Sequence, residues 1–157
     1  MLIDAISPIK RLKGEKGQDI VEFALIFPIL ATILFGIIDF GWVFYSTAMV
    51  ANATREGARF AVMNYKEADE KKGAGQTVTD YLKDDVTLNV KDSLPAYLKN
   101  SYSNLSVTVT ETNVAADDTR IEVKVNSRIR LFTPVLSTIT GSKDYSIRRT
   151  VSMKKVN

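Results

Sequence analysis

Residues 20–45 read IVEFALIFPILATILFGIIDFGWVFY, and within them only Glu22 and Asp39 are charged. The stretch is apolar on nearly every side, not along a single stripe. As a helix rising about 1.5 Å per residue it extends about 39 Å, more than the ~30 Å hydrocarbon core of a bilayer. The first reading is therefore a membrane-spanning anchor. A cleaved secretory signal is the second, since Ser46-Thr47-Ala48 offers a small-x-small site, but its apolar region should cover only about 7 to 15 residues. A buried core helix is the third. The basic residues ahead of the run, Lys10, Arg11, Lys13 and Lys16, predict an N-terminus held in the cytoplasm, and Trp42 and Tyr45 mark the outer interface.

Composition narrows the rest. A chain of 157 residues has room for one small domain beside an anchor. It contains no Cys and no His, which removes thiol nucleophiles, disulfides, the usual zinc ligands and the commonest general base. A net charge of +3, with both signs interspersed, gives no basic tract for nucleic acid. Asp84, Asp85, Asp117 and Asp118 are the carboxylates open to an enzymatic reading, yet no nucleophile, base and orienting group stand together in a motif. No enzymatic activity and no cofactor are expected.

An ionised carboxylate near the bilayer centre costs several kcal/mol on insertion scales. Glu22 and Asp39, about 25 Å apart along a helix, can each lie near one interface. For Asp39 the first reading is a residue reaching water beside Trp42, and the second is a buried partner. Glu22 has a more specific setting, five residues after Gly17 in the string Gly17-Gln18-Asp19-Ile20-Val21-Glu22-Phe23. That string resembles the processing site of type IV prepilins, in which a membrane peptidase cuts after Gly and leaves Glu as the fifth mature residue. In the Flp branch an aromatic residue follows that Glu, the place of Phe23. The resemblance implies a processing site at Gly17, Gln18, Glu22 and Phe23. Gln18 stands where many type IV pilins carry an aromatic residue. A cut there would create an ammonium on Gln18, able to pair with Glu22 of a neighbouring subunit and so offset the cost of a carboxylate in lipid.

Beyond Tyr45 the sequence STAMVANATREGARFAVMNYK has no Pro or turn cluster, so the helix is predicted to continue. Val50, Thr54, Ala58, Ala61 and Tyr65 share one face, while Arg55, Glu56, Arg59 and Lys66 point away from it. The small residues Ala48, Ala51, Ala53, Gly57, Ala58 and Ala61 suit close approach of another backbone. The string Asn52-Ala53-Thr54-Arg55-Glu56-Gly57-Ala58-Arg59, placed after Val21-Glu22-Phe23-Ala24-Leu25, is similar to the signature of the TadE-like family. That family comprises membrane-anchored pseudopilins of the tight-adherence (Flp) pilus assembly system. The resemblance implies a minor pilin or assembly component, with Glu22, Asp39, Arg55, Glu56, Gly57 and Arg59 as assembly positions. Its implied partners are other pilins and pseudopilins, membrane pilus-assembly proteins, a prepilin peptidase and the lipid bilayer. The alternative is a membrane-tethered binding module without a pilus role.

Lys71-Lys72-Gly73-Ala74-Gly75-Gln76 reads as a loop. Val78, Tyr81, Leu82, Val86, Leu88, Val90, Leu94 and Leu98 predict a second helix ending near Pro95. Leu105, Val107 and Val109, and then Ile121, Val123 and Val125, alternate with polar residues and predict two half-buried strands joined through a loop over 113–119. Ile129, Leu131 and Phe132 are read as extending the second strand. A short helix or turn over 135–140 and a final strand over 145–153 follow. The predicted fold is α+β: a long N-terminal transmembrane helix continuing into a small pilin-like domain with an antiparallel sheet of three or more strands. The expected division is a basic leader at 1–17, cleaved, a transmembrane helix at 18–45 and an extracytoplasmic domain at 46–157.

Overall fold

The computed structural model describes residues 15–96, 102–115 and 118–155. Helix α1, Glu15–Lys71, is a single uninterrupted element of 57 residues. At about 1.5 Å per residue it is about 85 Å long. Pro28 lies inside it, and Thr32 Oγ1 donates to the Pro28 carbonyl at 2.7 Å. The most apolar window of α1 has no buried residue, so its Ile, Leu and Phe side chains have no cover from the rest of the chain.

After α1, the chain turns through Gly75, whose φ of 88° is costly for any residue with a Cβ. Thr77 then caps helix α2, Val78–Asp92, accepting from the Asp80 amide at 3.1 Å. Val78, Leu82, Val86 and Val90 recur every fourth residue and are buried. Tyr81 and Leu88, also among the residues that predict this helix, lie off that stripe and are exposed. Leu98 falls outside the described residues.

Strands β1, Tyr102–Ala115, β2, Asp118–Arg130, and β3, Asp144–Lys154, form one antiparallel sheet in the order β1-β2-β3. In register, Val109 faces Val123, which faces Val151, and Val107 faces Val125. The predicted alternation therefore puts Val107, Val109, Ile121, Val123 and Val125 on one buried face. The predicted loop over 113–119 is shorter than expected: Asn113 pairs with Thr119 and Ala115 with Asp118. Polar side chains do not stop a backbone ladder, and Thr119 Oγ1 donates to Asn113 Oδ1 at 3.0 Å across it. At its other end β2 stops at Arg130, before Leu131 and Phe132. Leu131 N donates to Lys143 O, after which the chain enters the short helix α3, Pro134–Thr140, closed by Gly141 in the left-handed region.

Helices α1 and α2 cover the apolar face of the sheet. The predicted face of α1 is the one used: Val50, Thr54, Ala58, Ala61 and Tyr65 are buried, while Arg55, Glu56, Arg59 and Lys66 are exposed. The close approach expected of the small residues takes place within the chain itself. A Cβ added to Gly57 would lie 2.5 Å from Val90 Cγ2, so α2 sits directly against the α1 backbone there.

Candidate functional site

Three places on α1 bear on function, in order from its N-terminus. The first is the segment around Gly17. Gly17 and Gln18 lie in the first turns of the helix, with nothing within contact distance of a Cβ at Gly17. Gln18 Nε2 donates to Glu22 Oε1 at 3.3 Å, one helical turn on, and both are exposed. Phe23 stacks at a tilt on Phe27, with 5.5 Å between ring centroids, and faces outward. The four residues of the predicted processing site are thus all exposed near the start of α1, Gly17 and Gln18 within the first turn, where backbone amides lack intrahelical acceptors.

The second place is Asp39, and here the structure overturns the first sequence reading. Asp39 does not reach water; its relative exposure is 0%. Its Oδ1 accepts from the amides of Phe132 and Thr133, both at 3.0 Å, and its Oδ2 accepts from the Thr133 hydroxyl. Thr133 is the N-cap of α3 but makes no capping bond with its own side chain. A carboxylate from α1, 94 residues away in sequence, accepts instead from the amide of this N-cap residue and from that of the residue before it. Next to it, Trp42 Nε1 donates to the Arg130 carbonyl at 3.3 Å, and its ring meets Phe132 edge-on at 4.7 Å between centroids. The connection between β2 and β3 is therefore fixed to α1 just where the uncovered apolar stretch ends. Sequence reading missed Phe132 and Thr133 as partners. Thr133-Pro134 is an N-cap and N1 pair, which points to a helix start but not to the acid that satisfies it.

The third is the signature segment. Arg55, Glu56 and Arg59 point outward, Arg55 Nη1 donating to Asn52 Oδ1 at 3.2 Å. Gly57 points the other way, into α2. Thr54 is buried, and its hydroxyl donates to the Val50 carbonyl at 2.6 Å. The predicted assembly residues thus divide into Glu22, exposed near the start of α1, a charged outer row, Arg55, Glu56 and Arg59, and two inward contacts, Asp39 and Gly57, that hold the domain on its helix.

Farther along, Tyr65 donates to Glu111 Oε2 at 2.8 Å, and Lys155 Nζ lies 4.3 Å from its ring centroid. This contact ties α1 to β1 and to the segment after β3. Burial, and then the hydrogen bond to Glu111, raise the Tyr65 hydroxyl well above the ordinary tyrosine range. The neutral phenol is therefore favoured in the folded state, and its contribution to stability is fully present below about pH 10 and is lost as pH rises beyond that. We expect the Tyr65→Phe variant to have a shallower alkaline loss of stability than the parent in denaturant titrations at successive pH values. Identical slopes above pH 10 would remove Tyr65 from the account.

Among the carboxylates of the enzymatic reading, Asp84 and Asp85 are exposed on α2, and Asp117 lies outside the described residues. Asp118 pairs with Arg120 at 2.8 Å, whose hydrogen bond holds it below the usual carboxylate range. Among the described residues, no group of three carboxylates is placed to hold a metal ion.

No curated protein and no solved structure matches the chain. Residues 17–59 match the family model described as TadE-like protein. The match begins at the Gly of the predicted processing site and ends at the last Arg of the signature. Over residues 17–59 the chain is therefore similar to the TadE-like family, the family that its motifs resemble.

Proposed function

We propose that this protein is a pseudopilin or minor pilin of the Flp (Tad) type IV pilus system, a non-enzymatic component that works by packing its helix against those of other pilins and assembly proteins. The observation that carries the reading is the wholly uncovered apolar stretch of α1 lying inside the TadE-like segment. An apolar helix surface with no cover from its own chain requires lipid or other helices around it.

In this reading residues 1–17 form a cytoplasmic leader removed by a prepilin peptidase, 18–45 span the inner membrane, and 46–157 form the extracytoplasmic domain. Cleavage after Gly17 exchanges the Gln18 amide for an ammonium at the start of the helix. Glu22, exposed and one turn away, is then free to pair with the Gln18 ammonium of a neighbouring subunit, which sets the axial register between helices. The outward row Arg55, Glu56 and Arg59 supplies charged contacts outside the membrane.

N-terminal sequencing and intact mass of protein recovered from its native membrane test the reading. The expected mature chain starts at Gln18, and Gly17→Ala abolishes that species and lowers pilus output. A chain starting at Met49 indicates secretory cleavage instead. One that retains Met1, with pilus production unaffected by Gly17→Ala, supports the tethered binding module.

A further inference from the structure

We propose that the connection between β2 and β3, residues 131–143, is a second membrane contact: it lies in the headgroup layer of the outer leaflet and binds anionic lipid. The proposal rests on α1 spanning the bilayer, and not on a role in a pilus.

Depth is the first support. From Ile20 to Asp39 the helix rises about 29 Å, close to the ~30 Å of hydrocarbon. Whatever is bound to Asp39 is thus held at the boundary between hydrocarbon and headgroups. The 131–143 segment is bound there through Phe132 and Thr133, and Trp42 grips Arg130 and Phe132 from the next turn. It cannot lift away without breaking these contacts.

Its surface is the second. Phe132 is 68% exposed and Ile139 is 74% exposed, although a soluble domain gains nothing by presenting either to water. Phe40 and Phe44 are exposed on the adjoining turns of α1. A cleft of about 420 Å³ between helix and connection is lined by Phe40, Val43, Leu131, Leu136 and Tyr145, which continues the apolar surface of the anchor onto the domain. Charge is the third. Between Ser127 and Thr150 the chain carries Arg128, Arg130, Lys143, Arg148 and Arg149 against the single acid Asp144. Arg130 and Lys143 stand at the two ends of the connection, both exposed, so apolar side chains are flanked by cations as in segments that lie in an interface.

Because the chain has no Cys, single cysteines can be placed in the full-length protein and labelled with an environment-sensitive fluorophore. Ile139→Cys probes the connection, Leu30→Cys the middle of the anchor, and Thr112→Cys the opposite end of the sheet. Each is reconstituted in nanodiscs of phosphatidylcholine, with and without phosphatidylglycerol, carrying lipid nitroxides at shallow or deep positions. The expected result is an Ile139 label quenched by shallow nitroxides and a Leu30 label quenched by deep ones, with the Thr112 label unaffected. Replacing Arg130 and Lys143 by Gln should lower Ile139 quenching by about twofold or more in anionic discs and leave neutral discs unchanged. If the Ile139 label behaves like that at Thr112 while Leu30 is quenched, the second contact is wrong and the anchor stands. If Leu30 is not quenched, the anchor fails and the proposal falls with it. An Ile139 label shielded only when several copies share a disc, without lipid quenching, assigns the patch to a second copy and overturns the proposal.

Discussion

Asp39→Ala is expected to destabilise the extramembrane domain by about 3 kcal/mol, because three donors lose their acceptor at a buried site. Two of them are backbone amides, which cannot turn to other partners without moving the chain. The loss should therefore appear locally as well as globally: hydrogen exchange of the Phe132 and Thr133 amides should lose protection, and proteases should cut within 131–143. Asp39→Asn retains one carbonyl oxygen for the amides and should cost about 1 kcal/mol. Denaturant unfolding in nanodiscs, followed through Trp42, the sole tryptophan, reads both variants. If Asp39→Ala shifts stability by less than about 0.5 kcal/mol and the two amides remain protected, the tether has no energetic role.

Gly57→Ala should also destabilise, by about 1–2 kcal/mol, although Ala is the better helix former. A new Cβ would lie 2.5 Å from Val90 Cγ2. Val90 is fully buried, and its branched side chain has few rotamers into which it can retreat. Overpacking of about 1–3 kcal/mol is then reduced by up to about 1 kcal/mol of helix propensity. The sign should reverse once the obstruction is removed. In a Val90→Ala background, Gly57→Ala should be neutral or stabilising, so the double-mutant cycle should give a coupling energy of at least about 1 kcal/mol. Additive effects would show that α2 does not press on α1 at this point.

Periodicity made most of this fold legible. The long apolar run, the face Val50 to Tyr65 and the alternation of Val107, Val109, Val123 and Val125 are local patterns, and each formed the element that it predicts. What sequence did not reveal were contacts between distant residues. Asp39 looked like an acid at an interface because its partners come 93 and 94 positions later. Nothing in local spacing announces that Phe132 and Thr133 return to it. Because those two amides turn toward α1, β2 ends at Arg130 where its apolar residues suggested it would go on. The small residues around Gly57 were equally ambiguous, since a stripe that admits a neighbouring backbone does not say which chain supplies it. The TadE-like segment was legible because its marks, Gly17, Glu22 and Arg55 to Arg59, sit at fixed spacings along one helix.

The continuity of α1 has a mechanical consequence. With no hinge between the apolar stretch and Lys71, the domain inherits every change in the angle of its anchor. From Asp39 to Lys71 the helix forms an arm about 48 Å long. A tilt of about 20° from the bilayer normal, ordinary for a spanning helix, swings the end of that arm sideways by about 16 Å. Forces applied to the anchor by lipids or neighbouring helices are thus magnified into displacements of the distal end of the sheet.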